Sequence, residues 1–144
     1  MLYKSYLRKL NKCPFCDLKK EEIIKENKDV VLILAKAPYT TGHLLVVPKK
    51  HVLRLKSLTK KRKDNIEKII YYAMEKLYKK YGSVNILFRQ GNKKEIGKSI
   101  AHIHYHLIPK IKIGAYNINV NKRRIYSYKE YLTKTKEIKR KFKL

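Results

Sequence analysis

Ser99-Ile-Ala-His-Ile-His-Tyr-His-Leu-Ile-Pro109 decides how the rest of the chain is read. His102, His104 and His106 alternate with Ile103, Tyr105 and Leu107, and strict alternation is the period of a half-buried strand. Successive side chains of a strand point to opposite faces, so all three imidazoles are expected on one face and the apolar partners on the other. On a regular strand, neighbours in such a row stand about 6.7 Å apart and the outer two roughly 13 Å apart. One ion with Zn–N bonds near ~2.0 Å reaches two adjacent members, hardly all three. The row is therefore expected to divide its labour. A surface strand carrying polar residues by chance, or a simple metal-binding run, is the plainer alternative. Three of only five histidines fall here, which weighs against it.

Upstream, Val84 to Arg89 reads as another strand, and Gly91 to Gly97 as a polar loop. Before them Thr59 can cap a helix from Lys60 to about Tyr81. Ile66, Ile69, Ile70, Ala73, Leu77 and Tyr81 trace its apolar stripe, and Gly82 stops it. Leu44 to Val47 is a short buried strand, joined by Pro38 to Gly42 to the strand Val30 to Ala35; Asn27-Lys28-Asp29 turns the chain back to Ile23-Ile24. Short loops between sequential strands favour antiparallel pairing. The fold class expected is α+β: an antiparallel sheet of about five strands with the 60–81 helix packed on it, a single domain over 1–144.

At the termini the patterns are weaker. Residues 1–12 place Leu2, Tyr3, Tyr6, Leu7 and Leu10 at helical spacing. Beyond Pro109, Ile111 and Ile113 extend an alternation, and Ile118 and Val120 suit an edge strand. Tyr128 to Phe142 reads as a basic helix with Tyr131, Leu132, Thr135 and Ile138 on one side. Such a helix is usually a solvated face, and binding nucleic acid is the sharper alternative.

Cys13-Pro-Phe-Cys16 has the spacing at which two thiolates grip one tetrahedral ion. A redox pair and plain unligated thiols remain alternatives, although no preceding strand supplies the setting a redox pair needs. Lys and Arg total 37 against 11 Asp and Glu, a net charge of +26. That balance attracts polyanions such as nucleotides, nucleic acid or an anionic membrane surface. Scattered lysines equally suit a lysine-rich proteome or a salty cytosol. Met1 to Leu10 is interrupted by Lys4, Arg8 and Lys9, so neither a signal peptide nor a membrane span is expected. Two cysteines without an export signal imply reduced thiols and a cytoplasmic protein.

The block His102-Ile-His104-Tyr-His106-Leu107-Ile108 resembles the signature of the histidine-triad superfamily of nucleotide hydrolases and transferases. Gly42-His-Leu-Leu-Val-Val-Pro-Lys-Lys-His51 and the Cys13/Cys16 pair resemble two further blocks of that family, so the likeness covers roughly 11–113. It leaves 114–144 as a basic extension. The resemblance implies that His104 is the nucleophile that takes up a nucleotidyl group. It sets His106, His43 and the Ser99 hydroxyl around the phosphate and leaving group. It also implies a structural zinc, held by Cys13, Cys16, His51 and His102 as in the family's zinc-bearing branches. Gln90 or Asn92 matches a phosphate-side amide, and Lys98 stands where the family has glutamine. A further departure is Ala35, where the family carries Asn or Asp for the ribose hydroxyls. The implied partners are a nucleotide substrate and a second copy of the chain, through the long helix and an edge strand.

The function expected is hydrolysis or transfer at the α-phosphate of nucleoside phosphoramidates, dinucleoside polyphosphates or related conjugates. Two rivals are kept. One is removal of adenylate from 5′-adenylated nucleic-acid ends, to which the charge lends weight. The other is a zinc-stabilised module that binds nucleic acid weakly, without catalysis.

Overall fold

All five side chains of Val30–Leu34 (β2) are buried, and so are those of Leu44–Pro48 (β3). Neither run alternates, because both faces of their sheet are covered. The computed structural model describes residues 1–96, 100–111 and 123–143. Within these, Ile23–Glu26 (β1), β2, β3, Val84–Phe88 (β4) and Tyr105–Pro109 (β5) form one sheet in the order β1-β2-β3-β5-β4, every neighbouring pair antiparallel. The expected α+β architecture is the one adopted. The triad strand β5 is not at an edge; it lies between β3 and β4, where neighbours on both sides fix its register.

On one face Val30, Leu32, Leu34, Leu44, Val46 and Leu107 pack against the stripe Ile66, Ile69, Ile70, Ala73 and Leu77 of the long helix Lys60–Tyr81. With Tyr3–Lys9 named α1, that helix is α2. Thr59 Oγ1 accepts from Arg62 N at 3.3 Å at its start, and Gly82 closes it with φ +91°. On the other face Val31, Ile33, Ala35, Leu45 and Val47 pack with Phe15 and Ile100. That second face carries the histidines, since His106 pairs with Leu45 in the ladder.

Four expectations need correction. The alternation predicts a strand already at His102, but the ladder begins at Tyr105, opposite Val46. Continuing it would set Ile103 against Pro48, which has no N–H to offer. The chain leaves the sheet instead: Ile103 N donates to Val52 O at 3.1 Å, and His102 Nε2 donates to Pro48 O at 2.7 Å. The loop after β4 contains a short helix, Lys93–Ile96 (α3), started by Asn92 Oδ1 accepting from Lys94 N at 2.8 Å. The N-terminal helix is shorter than its apolar spacing implied, and Leu2 is exposed, bridging Arg124. Finally, the basic helix Tyr128–Lys141 (α4) is not merely solvated. Tyr131, Ile138 and Phe142 enter the α2 side of the core against β1 and β2, and Tyr131 Oη donates to Leu34 O at 2.8 Å. The expected strand around Ile113, Ile118 and Val120 lies outside the described residues.

Candidate active site and metal centre

Where β5 leaves the sheet, its three histidines go to different neighbours. His104, just before the ladder, donates from Nδ1 to the His102 carbonyl at 2.8 Å. A carbonyl only accepts, so Nδ1 carries a proton, and in the neutral ring the lone pair is on Nε2. His104 and His106 ring centroids are 4.7 Å apart, closer than the about 6.7 Å of a regular strand. Phe15 sets its edge against His104 at 5.0 Å and against His102 at 5.7 Å.

His43 precedes β3 directly, seated by Gly42. Gly42 has φ +87°, and a Cβ there would stand 2.7 Å from the Tyr81 ring, so only glycine fits the turn. Tyr39 N donates to His43 Nδ1 at 3.1 Å. His43 is therefore protonated on Nε2, which donates to His106 Nδ1 at 3.0 Å. That in turn puts the His106 proton on Nε2. A relay of three groups thus fixes both tautomers. It requires neutral rings, and burial supplies that condition. Desolvation, then Arg123 and His104, pull His43 down to about 3. Desolvation, then His104, His43, Arg89 and Arg123, hold His106 well below its ordinary value.

His102 is fully buried and turns the other way. Its Nε2–H is committed to Pro48 O, so Nδ1 carries a lone pair. That nitrogen lies 3.5 Å from Cys13 Sγ, 3.6 Å from Cys16 Sγ and 3.1 Å from His51 Nδ1, while Cys16 Sγ is 3.2 Å from His51 Nδ1. All four donor atoms fall within 4.8 Å of one another. A tetrahedral zinc with Zn–S near ~2.3 Å and Zn–N near ~2.05 Å spaces its ligands at about 3.6 Å for S···N and about 3.3 Å for N···N. The four residues therefore fit a tetrahedral metal ion. Burial, then the neighbouring Cys13, pushes the Cys16 thiol up, a crowding that a cation would relieve.

The family model for the HIT domain matches residues 18–113. The chain belongs to the HIT domain family. An adenosine 5′-monophosphoramidase of Schizosaccharomyces pombe is 29% identical over 102 residues, covering 68% of this chain and 74% of that protein. A bis(5′-adenosyl)-triphosphatase of Saccharomyces cerevisiae is 30% identical over 97 residues, covering 65% of this chain and 46% of the longer protein. Among solved structures, a Zn-bound histidine triad family protein from Mycobacterium smegmatis superposes with TM-score 0.64 at 21% identity, over 92% of this chain and 96% of that one.

In this HIT fold, His43, His104 and His106 line one cavity and Cys13, Cys16, His51 and His102 form the cluster beside it. Ala35 lines the cavity too, offering only a methyl group. Gln90 and Asn92 stand elsewhere: Gln90 Oε1 accepts from Leu55 N at 2.7 Å, and Asn92 starts α3. Lys98 and Ser99 lie outside the described residues. Sequence reasoning passed over Phe15, Tyr39, Arg89 and Arg123, which also line the cavity. Phe15 stood inside the quoted cysteine block, where only the thiols were read. Arg123 carried no motif at all, being beyond the part of the chain that resembles the family.

Proposed function

We propose that this protein is a nucleotidyl hydrolase or transferase acting at the α-phosphate of nucleoside phosphoramidates, dinucleoside polyphosphates or related conjugates. The observation that carries the reading is the His104 Nδ1 bond to the His102 carbonyl, which commits Nδ1 as a donor and leaves Nε2 as the nitrogen whose lone pair the neutral ring would use in attack. In the first step that lone pair forms a bond to the α-phosphorus while the bond to the leaving group breaks, and the leaving group departs with the electron pair. In the second step water or another acceptor attacks phosphorus, and the P–N bond breaks to restore the ring. His106 Nε2–H, aimed through His43, donates to the charge developing on the phosphate or the leaving group. Ser99 and Lys98, just before the triad in sequence, serve the same phosphate, with Gln90 or Asn92 reaching it only after exchanging their present partners.

Cys13, Cys16, His51 and His102 would hold zinc. Four protein ligands close its shell, so the ion would brace the segment that leads into His104 and activate no water. Thiolate ligands suit a reducing cytoplasm. In favour of a homodimer are Tyr71 and Tyr78 of α2, 64% and 65% exposed, and Ile86, exposed on the edge strand β4. Removal of adenylate from 5′-adenylated nucleic-acid ends is a second reading, favoured by the net charge of +26. Turnover of a fluorogenic adenosine phosphoramidate, with and without competing DNA, tests the main reading. His104→Ala should lower the rate by several orders of magnitude with the fold intact. A variant retaining a tenth of the wild-type rate would contradict the role given to His104.

A further inference from the structure

Arg123 reaches the histidine cavity from outside the 18–113 span of the family match. Backbone pairing holds it there: Tyr3 N donates to Arg123 O at 3.1 Å, and Ile125 N donates to Met1 O at 2.9 Å. The Arg123 side chain donates from Nη1 to Ala37 O at 2.9 Å. Its guanidinium carbon lies 4.0 Å from the Tyr39 ring centroid and 4.9 Å from that of Tyr3. Tyr39 in turn stacks on His43 at 5.3 Å and lies 6.5 Å from His106. The cation is thus fixed on an aromatic platform next to the relay.

Two donors in this arrangement have no acceptor among the described residues: Arg123 Nε and Tyr39 Oη are both buried atoms without a hydrogen-bond partner there. Among the described residues no carboxylate pairs with Arg123, and none lines the cavity. Burial works against the guanidinium's charge and Arg89 adds to the penalty, while Tyr39 and Tyr3 partly offset it. A half-buried arginine whose Nε is shut off from water calls for an acceptor, and its planar fork matches phosphate oxygens.

We propose that Arg123, with the Tyr39 hydroxyl beside it, binds a second phosphate of the substrate, distinct from the one His104 attacks. The preferred substrates are then nucleotides with at least two phosphate groups. This rests on the nucleotidyl reading above and narrows it. The second phosphate can come from the next position of a polyphosphate bridge or from a phosphate on the nucleoside sugar. A phosphoramidate with a single phosphate leaves both donors unsatisfied, and is a poorer substrate for that reason.

The test compares kcat/KM for adenosine 5′-phosphoramidate, its 3′-phosphorylated counterpart and diadenosine triphosphate, in wild type, Arg123→Met and Arg123→Lys. Wild type should favour one of the two richer substrates over the plain phosphoramidate by tenfold or more, and which one identifies the source of the second phosphate. Arg123→Met should erase that preference, bringing the three kcat/KM values to within about threefold of one another. A thermal melt and circular dichroism spectrum matching those of wild type serve as the control for folding. Arg123→Lys should keep part of the preference, since it retains charge but not the fork. Equal losses on all three substrates, or a preference that survives Arg123→Met, would overturn the role and leave Arg123 as a tie to Ala37. Turnover of none of the three by wild type would instead overturn the proposed function itself.

Discussion

At the scale of single residues, the site depends on rings that stay neutral. His43 is 1% exposed and held at about 3, and His106 is held well below its ordinary value, chiefly by desolvation in both. In the unfolded chain both would titrate near ~6.5. Between about pH 6.5 and about 3 the unfolded state therefore binds more protons than the folded one, so stability is full above that window and falls with pH inside it. For one fully shifted histidine the loss at pH 5 is about 2 kcal/mol, or several degrees in Tm for a domain of this size. Thermal melts from pH 7.5 to 5 should show that slope, and His43→Asn should flatten it. A wild-type Tm that is level across the range would contradict the neutral relay. The triad histidines were legible in the sequence because alternation survives without coordinates, and His43 was legible only because its block resembles the family's. Their tautomers were not, since those depend on Pro48, Tyr39 and the His102 carbonyl, which the fold brings up from other parts of the chain or from outside the ladder.

Among the elements, α2 was readable nearly to the residue, because cap, stripe and stop all agree over Lys60–Tyr81. The triad strand was read too long. Alternation continues through Ile103 and His104, but strand pairing needs a partner with an N–H, and Pro48 supplies none. The excursion has a use: it carries His102 to the cysteines while His104 keeps its place beside His106. Lysines masked the packed face of α4, since Tyr131, Ile138 and Phe142 are sparse among charges yet buried. If zinc braces the excursion, protein purified without chelator should contain one zinc per chain. A strong chelator should then lower the Tm, because binding energy at a closed site is folding energy. Absence of metal by elemental analysis, or zinc kept by a Cys13→Ser/Cys16→Ser variant, would refute the assignment.

For the whole molecule, charge and fold are separate matters. No helix among the described residues is long and apolar enough to cross a membrane. The excess of 37 basic over 11 acidic residues is spread along the chain, which suits weak, sequence-blind attraction to polyanions. Duplex DNA binding should therefore collapse between low and physiological salt, while turnover of a small nucleotide conjugate persists. Tight binding that resists salt would favour the adenylated-end reading. The central claim, that His104 takes up the nucleotidyl group, is tested most directly by finding the group on the protein. Wild type quenched during turnover of an adenosine phosphoramidate should carry adenylate on His104 by peptide mass spectrometry, in a bond lost in acid. His104→Ala should carry none. Adenylate on a lysine or serine instead, or an unlabelled His104 in enzyme that is turning over, would contradict the account.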